Sequence, residues 1–585
     1  MYTKSTKFRT SFLFLTLIPL FAVLLIRLFY LQLGHFSFPR SNQQYKFTLK
    51  IKPQRGIIYD RNGKKLAVSL KVNSVYALPR EIKDKVRTAE ILSHLLNLPQ
   101  EDLLKKFSAK SFVWVKRKVS FAEEEAIRKA LSEGVYPVRK KGLSKEVENA
   151  KKSIGLKEFG VPCKISNGVY FLPEEKRFYP QGQLAAHLLG FCDIDNKGLE
   201  GIELFYDSYL RGREGWRFSE KDAHHSEIAA FEKKNIPPVN GYSLLLTIDI
   251  VIQYIVEKEL KKIVKEFKPL STTVIVLNPQ NGDILALANY PTYDPNSFSS
   301  FSPSFYRNRA ITDFFEPGSV FKIVTASAAL EERVVKLEDT FYCEKGKYHF
   351  KGGVLHDYHP YGKLTFSEVI EKSSNIGISK IAQILGKEKL YEFILKFGFG
   401  STTGIDLPGE TKGLVNSPKE WSDISILNIP MGQGVGVTSL QLARAISAIA
   451  NGGELIQPHL VKEIRDEKGE KIKSFSFSRK RIISRGTASE MREILQRVVE
   501  RGTGKNARIK GYKVAGKTGT AQKVNPKGGY YKNKFIASFI GFLPADDPLI
   551  SIVVVVDEPQ GAHFGSVVAA PLFQRIGKQV IEYLK

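Results

Sequence analysis

The chain has 585 residues, of which 88 are lysine or arginine and 60 are aspartate or glutamate, giving a formal net charge of +28 at pH 7. This length predicts two or three domains, because single hydrophobic cores stop growing beyond about 250–300 residues. The 43% hydrophobic and 11% aromatic content excludes a disordered chain. The basic excess indicates an anionic neighbour, and a membrane or cell-wall surface is favoured over nucleic acid because the sequence contains no zinc-finger, helix-turn-helix or RNA-binding pattern.

The first predicted element is a transmembrane helix. Residues 12–34 form the one long apolar stretch, with Pro19 and Arg27 among its few interruptions, and a single span needs about 20 apolar residues. A cleaved signal peptide is the alternative, but the stretch is long for one and no Ala-x-Ala-like site follows it. The residues before it include basic and no acidic side chains, which favours a cytoplasmic N-terminus. We therefore predict a cytoplasmic segment at 1–10 and a transmembrane helix at 11–34.

An irregular α+β module is predicted from 44 to 235. Arg55–Gly63 indicates a short strand that runs into an Asn-Gly turn, and amphipathic helices are predicted at 89–107 and 121–133. The Pro- and Gly-containing cluster Pro237–Gly241 marks a boundary. A second domain is therefore predicted over 240–585.

The pattern beyond this boundary predicts strands and helices in alternation. Short connections between the last strands favour an antiparallel sheet, flanked by helices. The predicted elements are a strand at 243–248, a hairpin at 272–277 and 284–288, a helical region from 319 to 396, a helix at 438–450, a strand at 512–515 that leads into 517–520, strands at 535–542 and 549–556, and a helix at 571–584.

One Ser-x-x-Lys occurs in the chain, Ser319-Val320-Phe321-Lys322. A Pro and a Gly precede it and an apolar run follows, which predicts a buried helix with Ser319 at or near its N-terminus. Free backbone N–H groups and the helix dipole there favour developing negative charge. Lys322 lies one turn later on the same face, where a desolvated lysine can take the serine proton. So short a motif also arises by chance in a lysine-rich chain, so it does not identify a nucleophile alone.

Two further motifs follow in order, Ser373-Ser374-Asn375 and Lys517-Thr518-Gly519-Thr520. Ser-x-x-Lys, Ser-x-Asn and Lys-Thr-Gly form the set found in penicillin-binding proteins and class A β-lactamases. Each motif is weak alone, but the ordered set predicts a serine acyl-enzyme. Ser-Ser-Asn in place of Ser-Asp-Asn favours the penicillin-binding proteins.

Metal and disulfide chemistry are not predicted. His356-Asp357-Tyr358-His359 invites a metal interpretation, but a polar loop is favoured because no third ligand cluster stands nearby in the sequence. Cys163, Cys192 and Cys343 are odd in number and far apart, so they form no metal-ligand spacing and no disulfide framework. We expect no cofactor.

With these motifs, almost the whole chain resembles a class B penicillin-binding protein of the cell-division type, FtsI-like. The residues 356–364 match a loop of this family, and the N-terminal stretches resemble the division enzyme more than its elongation counterpart. No glycosyltransferase module is recognisable, which implies a monofunctional transpeptidase. The N-terminal stretches that carry the resemblance are Arg55–Gly63, Arg177–Pro180, Ala185–Phe191 and Gly198–Glu203.

The resemblance implies an α/β (α+β) fold in three parts. A single N-terminal transmembrane helix comes first. An irregular α+β pedestal and dimerisation-type module follows at 44–235. The last part, 240–585, is a penicillin-binding, β-lactamase-like transpeptidase domain with an antiparallel sheet flanked by helices.

The resemblance also implies catalytic roles. Ser319 attacks the carbonyl of the penultimate D-alanine of a peptidoglycan stem peptide and Lys322 takes its proton. Ser373 relays that proton to the leaving amine, Asn375 binds the substrate backbone, and Lys517 supplies positive charge.

Substrate binding is implied for the rest of the third motif, Thr518, Gly519 and Thr520. The two threonine hydroxyls hold the terminal carboxylate, and the backbone N–H groups of Ser319 and Thr520 form an oxyanion hole. β-Lactams acylate the same serine as covalent inhibitors.

The partners implied are peptidoglycan stem peptides ending in D-Ala-D-Ala, a SEDS-family glycan polymerase and other division proteins in the membrane, without nucleic acid. The location implied is the bacterial cytoplasmic membrane, with the catalytic domain outside the cytoplasm at the septum. An elongation-type enzyme is the nearest alternative. A β-lactamase, a β-lactam-sensing receptor and a catalytically inactive scaffold are also open, but no deacylating Glu is identified, only one span is predicted, and all three motifs are intact.

Overall fold

The computed structural model describes residues 4–33, 46–132, 135–137, 160–162, 167–220, 235–350 and 353–585. It divides into two compact units, one of residues 1–53 with 212–240 and one of residues 54–211 with 241–585. Parts of the predicted segments lie outside the described residues, namely residues 1–3, 34, 44–45, 133–134, 138–159, 163–166 (with Cys163), 221–234 and 351–352.

The helices are numbered in chain order. They are α1 Lys4–Leu33, α2 Lys85–Leu96, α3 Gln100–Phe107, α4 Phe121–Ser132, α5 Ala186–Leu189, α6 Gly201–Phe205, α7 Asp207–Leu210, α8 Ile250–Phe267, α9 Arg309–Thr312, α10 Lys322–Glu331, α11 Phe366–Glu371, α12 Asn375–Leu385, α13 Lys387–Lys396, α14 Ser425–Asn428, α15 Ser439–Ala450, α16 Arg485–Glu500 and α17 Ala569–Leu584.

The strands are numbered in the same way. They are β1 Lys46–Ile51, β2 Ile58–Tyr59, β3 Lys65–Ala77, β4 Val113–Lys116, β5 Val135–Pro137, β6 Gly160–Pro162, β7 Val169–Phe178, β8 Gly215–Glu220, β9 Asn235–Ile236, β10 Ser243–Leu246, β11 Ser271–Leu277, β12 Ile284–Tyr290, β13 Phe314–Phe315, β14 Thr340–Tyr342, β15 Lys347–Phe350, β16 Gly353–His356, β17 Lys363–Thr365, β18 Val437–Thr438, β19 Glu454–Ile456, β20 Val461–Arg465, β21 Lys471–Ser474, β22 Arg479–Arg481, β23 Ala515–Val524, β24 Tyr530–Leu543 and β25 Ile550–Asp557.

The smaller unit contains α1 and an antiparallel sheet in the order β1-β8-β9. The Lys50 ammonium lies 4.9 Å from the ring centre of Trp216 and 3.5 Å from a Glu214 carboxylate oxygen. Among the described residues, no helix meets the combined length and apolarity of a membrane-crossing helix. The span predicted at 11–34 is therefore not confirmed.

The N-terminal part of the larger unit is built on the strands β4, β3 and β7, which pair antiparallel with β3 in the middle. One face of these strands packs against α2, α3 and α4 in a separate apolar core that includes Leu92 and Phe107. The helical region predicted at 89–107 consists of two helices, α2 and α3, because Asn97 takes a left-handed φ of 52° and Pro99 caps the start of a new helix.

The centre of the larger unit is a five-stranded antiparallel sheet in the order β12-β11-β25-β24-β23. Helices α8 and α17 cover one face, and α15 packs against the other. Both faces are therefore buried, which explains why residues Ile550–Val556 of β25 are all apolar except Ser551. The predicted antiparallel sheet flanked by helices is confirmed.

Most predicted elements of this domain are confirmed within a few residues, with two corrections. The helical region predicted from 319 to 396 is interrupted by four strands, β14 to β17, that form two small antiparallel pairs. The strand predicted at 512–515 to lead into the third motif starts only at Ala515 and contains the motif; this strand, β23, pairs with β24 along nearly its whole length. The edge of β23 opposite β24 carries no further strand of its sheet among the described residues.

Candidate active site

The turn that carries Ser319 is a short 3₁₀ segment, Gly318–Phe321, that runs directly into α10. Its first residue has a φ of +59°, and its N–H donates to the carbonyl of Gly432 at 3.1 Å. A Cβ on Gly432 would lie 2.2 Å from the Gly318 oxygen, so only glycine permits this approach. Ser319 is half-buried, and its hydroxyl makes no hydrogen bond within the described part of the chain.

Lys322 is fully buried at the start of α10. Its Nζ lies 2.6 Å from the carbonyl oxygen of Ser373, 3.2 Å from the Ser373 Oγ and 2.8 Å from Asn375 Oδ1. Burial lowers the pKa of Lys322 to about 7, although the charge of Asp357 acts to raise it. A large share of this lysine is therefore neutral at pH 7, and a neutral amine has a lone pair that can take a proton.

Lys517 approaches the same hydroxyl from β23. It is fully buried, and its Nζ lies 2.9 Å from the Ser373 Oγ and 3.1 Å from the Thr518 carbonyl oxygen. Burial, and after it the charge of Lys322, lowers the pKa of Lys517 well below its usual value. The Ser373 hydroxyl therefore lies between two lysine nitrogens, and Ser373 itself has a left-handed φ of 58°, a strained backbone conformation of the kind that clusters at functional sites.

The second motif is fixed by the N-terminus of α12 and by Asp357. Ser374 caps the helix through the Gly377 N–H at 2.9 Å and donates its hydroxyl to Asp357 Oδ2 at 2.6 Å. Asp357 Oδ1 accepts the backbone N–H groups of Asn375 and Ile376. A carboxylate is the favourable group at a helix N-terminus, and here it holds the residue that contacts Lys322.

The loop 356–359 thus contributes a carboxylate and a backbone carbonyl to the site. Asn375 Nδ2 donates to the carbonyl oxygen of His356 at 3.0 Å, while the side chains of His356 and His359 are exposed. Asp357 was not among the predicted site residues, and the only sequence signal for it was its place in a loop that matches the family.

The substrate-binding residues predicted in the third motif take separate partners. The Thr518 Oγ1 lies 2.8 Å from the Thr503 Oγ1, and the Thr520 Oγ1 accepts the Gly565 N–H at 3.0 Å. A Cβ on Gly519 would lie 2.9 Å from Val320 Cγ1, so this glycine lets β23 lie against the turn of Ser319. Thr503 is a further residue that the motifs did not indicate.

The structure thus brings Lys322, Ser373, Asn375 and Lys517 into direct hydrogen-bond contact. The turn that carries Ser319 leads into α10, which begins with Lys322, and packs on β23, which carries Lys517. A hydroxyl at a helix start, a lysine that is partly neutral at pH 7 and a second hydroxyl between two lysines together suit serine acylation with proton transfer.

Two family models match the chain. The model described as the penicillin binding protein transpeptidase domain matches residues 272–578. The model described as the penicillin-binding protein dimerisation domain matches residues 50–246.

Similar proteins cover nearly the whole chain. Stage V sporulation protein D of Bacillus subtilis is 36% identical over 586 positions, 98% of this chain and 86% of that protein. The peptidoglycan D,D-transpeptidase FtsI of Escherichia coli is 33% identical over 536 positions, 90% of this chain and 83% of that protein. The crystal structure of penicillin binding protein 3 from Mycobacterium tuberculosis, complexed with aztreonam, superposes with a TM-score of 0.68 and 27% identity over 92% of this chain and 97% of that one.

Proposed function

The chain belongs to the penicillin-binding protein family, whose dimerisation and transpeptidase domains it contains, and from this premise we propose how its site works. It is a peptidoglycan D,D-transpeptidase, as are the relatives that carry this name. Peptidoglycan is its substrate, and β-lactams bind to it. In the proposal, Ser319 is the nucleophile, Lys322 the base, and Ser373 the relay between them and the leaving group. The position of the Ser373 hydroxyl between two buried lysines is the observation that supports this proposal most strongly.

In the acylation step, neutral Lys322 takes the Ser319 proton as the serine oxygen bonds to the carbonyl carbon of the penultimate D-alanine. The negative charge that develops on the carbonyl oxygen is met by the N–H groups of Ser319 and Thr520. The bond to the terminal D-alanine then breaks, and the proton passes from Lys322 through the Ser373 hydroxyl to the leaving amine. An amine of a neighbouring stem attacks the ester carbon in the second step and returns a proton to Ser319.

The third motif orients the substrate in this proposal. Lys517 and the Thr518 and Thr520 hydroxyls hold the terminal carboxylate, and Asn375 binds the stem backbone. The Thr520 oxygen already accepts the Gly565 N–H, so its own proton is available to the carboxylate. Gly519 keeps the strand close to the nucleophile turn.

The test of the nucleophile is covalent labelling by a fluorescent penicillin. We expect Ser319→Ala to abolish labelling while the protein stays folded, and peptide mass analysis of the wild type to locate the acyl group on Ser319. Ser327→Ala is the matched control, because Ser327 lies in α10 and its buried hydroxyl has no partner in the described residues. Undiminished labelling of Ser319→Ala would overturn the assignment.

A role in septum formation is the finer part of the proposal. Its support is the resemblance of the N-terminal module, together with relatives named FtsI and stage V sporulation protein D. An elongation-type role is the alternative. Depletion of the protein in its host separates the two: we expect elongated, undivided cells, whereas rounded cells would indicate the elongation role.

The membrane anchor and the polymerase partner are also proposed. The support is the apolar sequence of residues 11–34 and the exposure of every described side chain in it. The span anchors the chain, the transpeptidase domain at 240–585 lies outside the cytoplasm, and residues 11–34 and the module at 44–235 contact a SEDS-family polymerase. A chain with an unrelated apolar helix at 11–34 should keep penicillin labelling but lose polymerase co-purification. If the exchanged chain still co-purifies fully with the polymerase, residues 11–34 serve only as an anchor.

A further inference from the structure

A cavity of about 350 Å³ lies in the larger unit, apart from the residues of the catalytic motifs. Its wall is formed by α5 and α6 on one side and by the segment 303–312 and the loop 407–409 on the other. The wall includes α9, and Ser319 follows Thr312 by only seven residues. The wall of the cavity therefore combines residues of the N-terminal module with the segment that leads to Ser319.

One carboxylate in this wall, that of Glu200, is unpaired within the part of the chain that the structure describes. Glu200 precedes α6 but makes no side-chain capping bond, and within the described residues its carboxylate forms neither a hydrogen bond nor an ion pair. Burial raises the pKa of Glu200, and no neighbouring charge opposes that effect. A half-buried anion without a counter-charge is unfavourable, so this group is suited to a ligand that supplies one.

The Asn308 side chain in the wall is uncharged, and its buried Nδ2 has no hydrogen-bond partner among the described residues. The Arg307 guanidinium lies 2.6 Å from an Asp313 carboxylate oxygen, so it does not serve Glu200. Burial lowers the pKa of His187 to about 4, so this imidazole is neutral at pH 7, and its Nε2 is held by the Phe305 carbonyl at 2.9 Å. Among the lining residues, Glu200 is the one carboxylate, and it forms no ion pair within the described residues.

We propose that this cavity binds a cationic nitrogen group, a guanidinium or an ammonium on a short aliphatic chain, through the Glu200 carboxylate. Leu204, Ile311 and Leu407 line the cavity beside it and suit the aliphatic part of such a ligand. Two sources carry this chemistry, a free small amine and a basic side chain of a partner polypeptide.

The test is a ligand-observed NMR titration of the detergent-purified full chain. The probes are n-butylguanidinium and n-butylurea, which match in shape and differ in charge. We expect n-butylguanidinium to bind at least tenfold more tightly than n-butylurea, and Glu200→Gln to remove that preference while penicillin labelling and the unfolding temperature stay unchanged. Glu467→Gln, an exposed site far along the chain, controls for net charge. Equal binding of the two probes, or wild-type affinity in Glu200→Gln, overturns the proposal.

A second variant and a second probe pair complete the design. Leu204→Trp fills the cavity and should abolish n-butylguanidinium binding even though Glu200 is kept; retained binding would place the probe elsewhere and overturn the proposal. The peptide acetyl-Ala-Arg-Ala-amide and its citrulline counterpart distinguish the sources. Tighter binding of the arginine peptide than of n-butylguanidinium supports a polypeptide partner. If the arginine peptide does not bind although n-butylguanidinium does, the source is a free amine.

Discussion

The two buried lysines of the site share one acceptor, because the Ser373 hydroxyl lies within hydrogen-bond distance of both. Two ammonium groups so close together repel each other, and both are taken out of water. Burial is the larger cause of the lowered pKa of Lys517, and the charge of Lys322 adds to it. Interacting groups of this kind lose their protons as a pair. The site therefore holds an available proton acceptor near neutral pH.

The acylation rate should consequently depend on pH through Lys322. Its pKa is lowered to about 7, and only the neutral form takes the serine proton, so the rate should rise from pH 5.5 and level off above about pH 8. On the acid side we expect close to a tenfold fall per pH unit. Stopped-flow labelling with a fluorescent penicillin measures this. A rate constant that is flat from pH 6 to 9 would contradict the role of Lys322.

The same pKa gives a stability prediction with a definite sign. Between pH 7 and 10.5 the unfolded chain carries a proton on Lys322 that the folded chain has lost. The free energy of unfolding should therefore rise with pH through this window as far as Lys322 is concerned. Lys322→Met should flatten that part of the stability curve in denaturant titrations at several pH values, and an unchanged slope would argue against the lowered pKa.

Asp357 should act as a positioning residue for the second motif. Asp357→Asn keeps the shape but replaces a carboxylate that accepts the Ser374 hydroxyl and two helix N–H groups. Losing such a cap costs about 0.5–2 kcal/mol, and a displaced Asn375 and Ser373 should slow acylation about tenfold to a hundredfold. Asp547→Asn, at an exposed site, is the control. If Asp357→Asn keeps both the wild-type acylation rate and the wild-type pH profile, as the control should, then Asp357 does not position the second motif.

The sequence motifs indicated candidate residues that the fold brings together, but they did not indicate contacts that are assembled from distant segments. Lys322, Ser373, Asn375 and Lys517 could be predicted because each belongs to a motif with a known order. Asp357 and Thr503 carry no motif of their own, since their partners lie 17 or 15 positions or more away. Their importance comes from the register of folded elements, which sequence patterns alone do not state.

Helices and strands of the transpeptidase domain were predictable because both periodicity and turn residues agree there. Thr438 closes a capping box with Gln441 at the start of α15, which matches the predicted helix at 438–450. The region around β14 to β17 was mistaken for helix, because its short paired strands contain too few residues to establish an alternating pattern. The strand that leads into the third motif was predicted to end at 515 for a similar reason, since Gly516 and Gly519 interrupt the apolar run of β23.

Two glycines beside the turn of Ser319 allow backbone strain to be separated from a steric contact. Gly432 and Gly434 both have a left-handed φ, 85° and 77°, so Ala at either position costs about 1–2 kcal/mol of backbone strain. Only Gly432→Ala also places a Cβ 2.2 Å from the Gly318 oxygen, while the nearest atom to a Cβ on Gly434 is a side-chain carbon at 3.6 Å. We expect Gly432→Ala to lose most penicillin labelling and Gly434→Ala to keep most of it. Equal loss in the two variants would show that strain, not contact, decides the outcome.

A buried ion cluster ties together three separate stretches of the N-terminal module. The Arg55 Nε and the Arg177 Nε lie 2.7 and 2.6 Å from the two carboxylate oxygens of Glu203, and Arg55 also pairs with Asp207 at 2.6 Å. Burial alone would raise the pKa of Glu203, but the two guanidiniums lower it. Arg55, Arg177 and Glu203 come from three of the four stretches that carry the family resemblance, so these three stretches meet at one structural centre rather than at the active site.

Removing the central charge of this cluster should destabilise the larger unit without touching the chemistry. Glu203→Gln keeps the volume but removes the carboxylate that pairs with Arg177, and the described residues offer this guanidinium no other ion pair. An unpaired buried charge of this kind costs about 3–5 kcal/mol. Glu214→Gln is the matched control, because its ion pair with Lys50 is largely exposed and such pairs contribute about 0–1 kcal/mol.

Thermal unfolding and limited proteolysis should show a clear loss of stability for Glu203→Gln and almost none for Glu214→Gln. Penicillin labelling well below the unfolding temperature should be the same in both, because Glu203 contacts none of the acylating groups; slowed labelling of folded Glu203→Gln would instead show that the module is energetically coupled to the site.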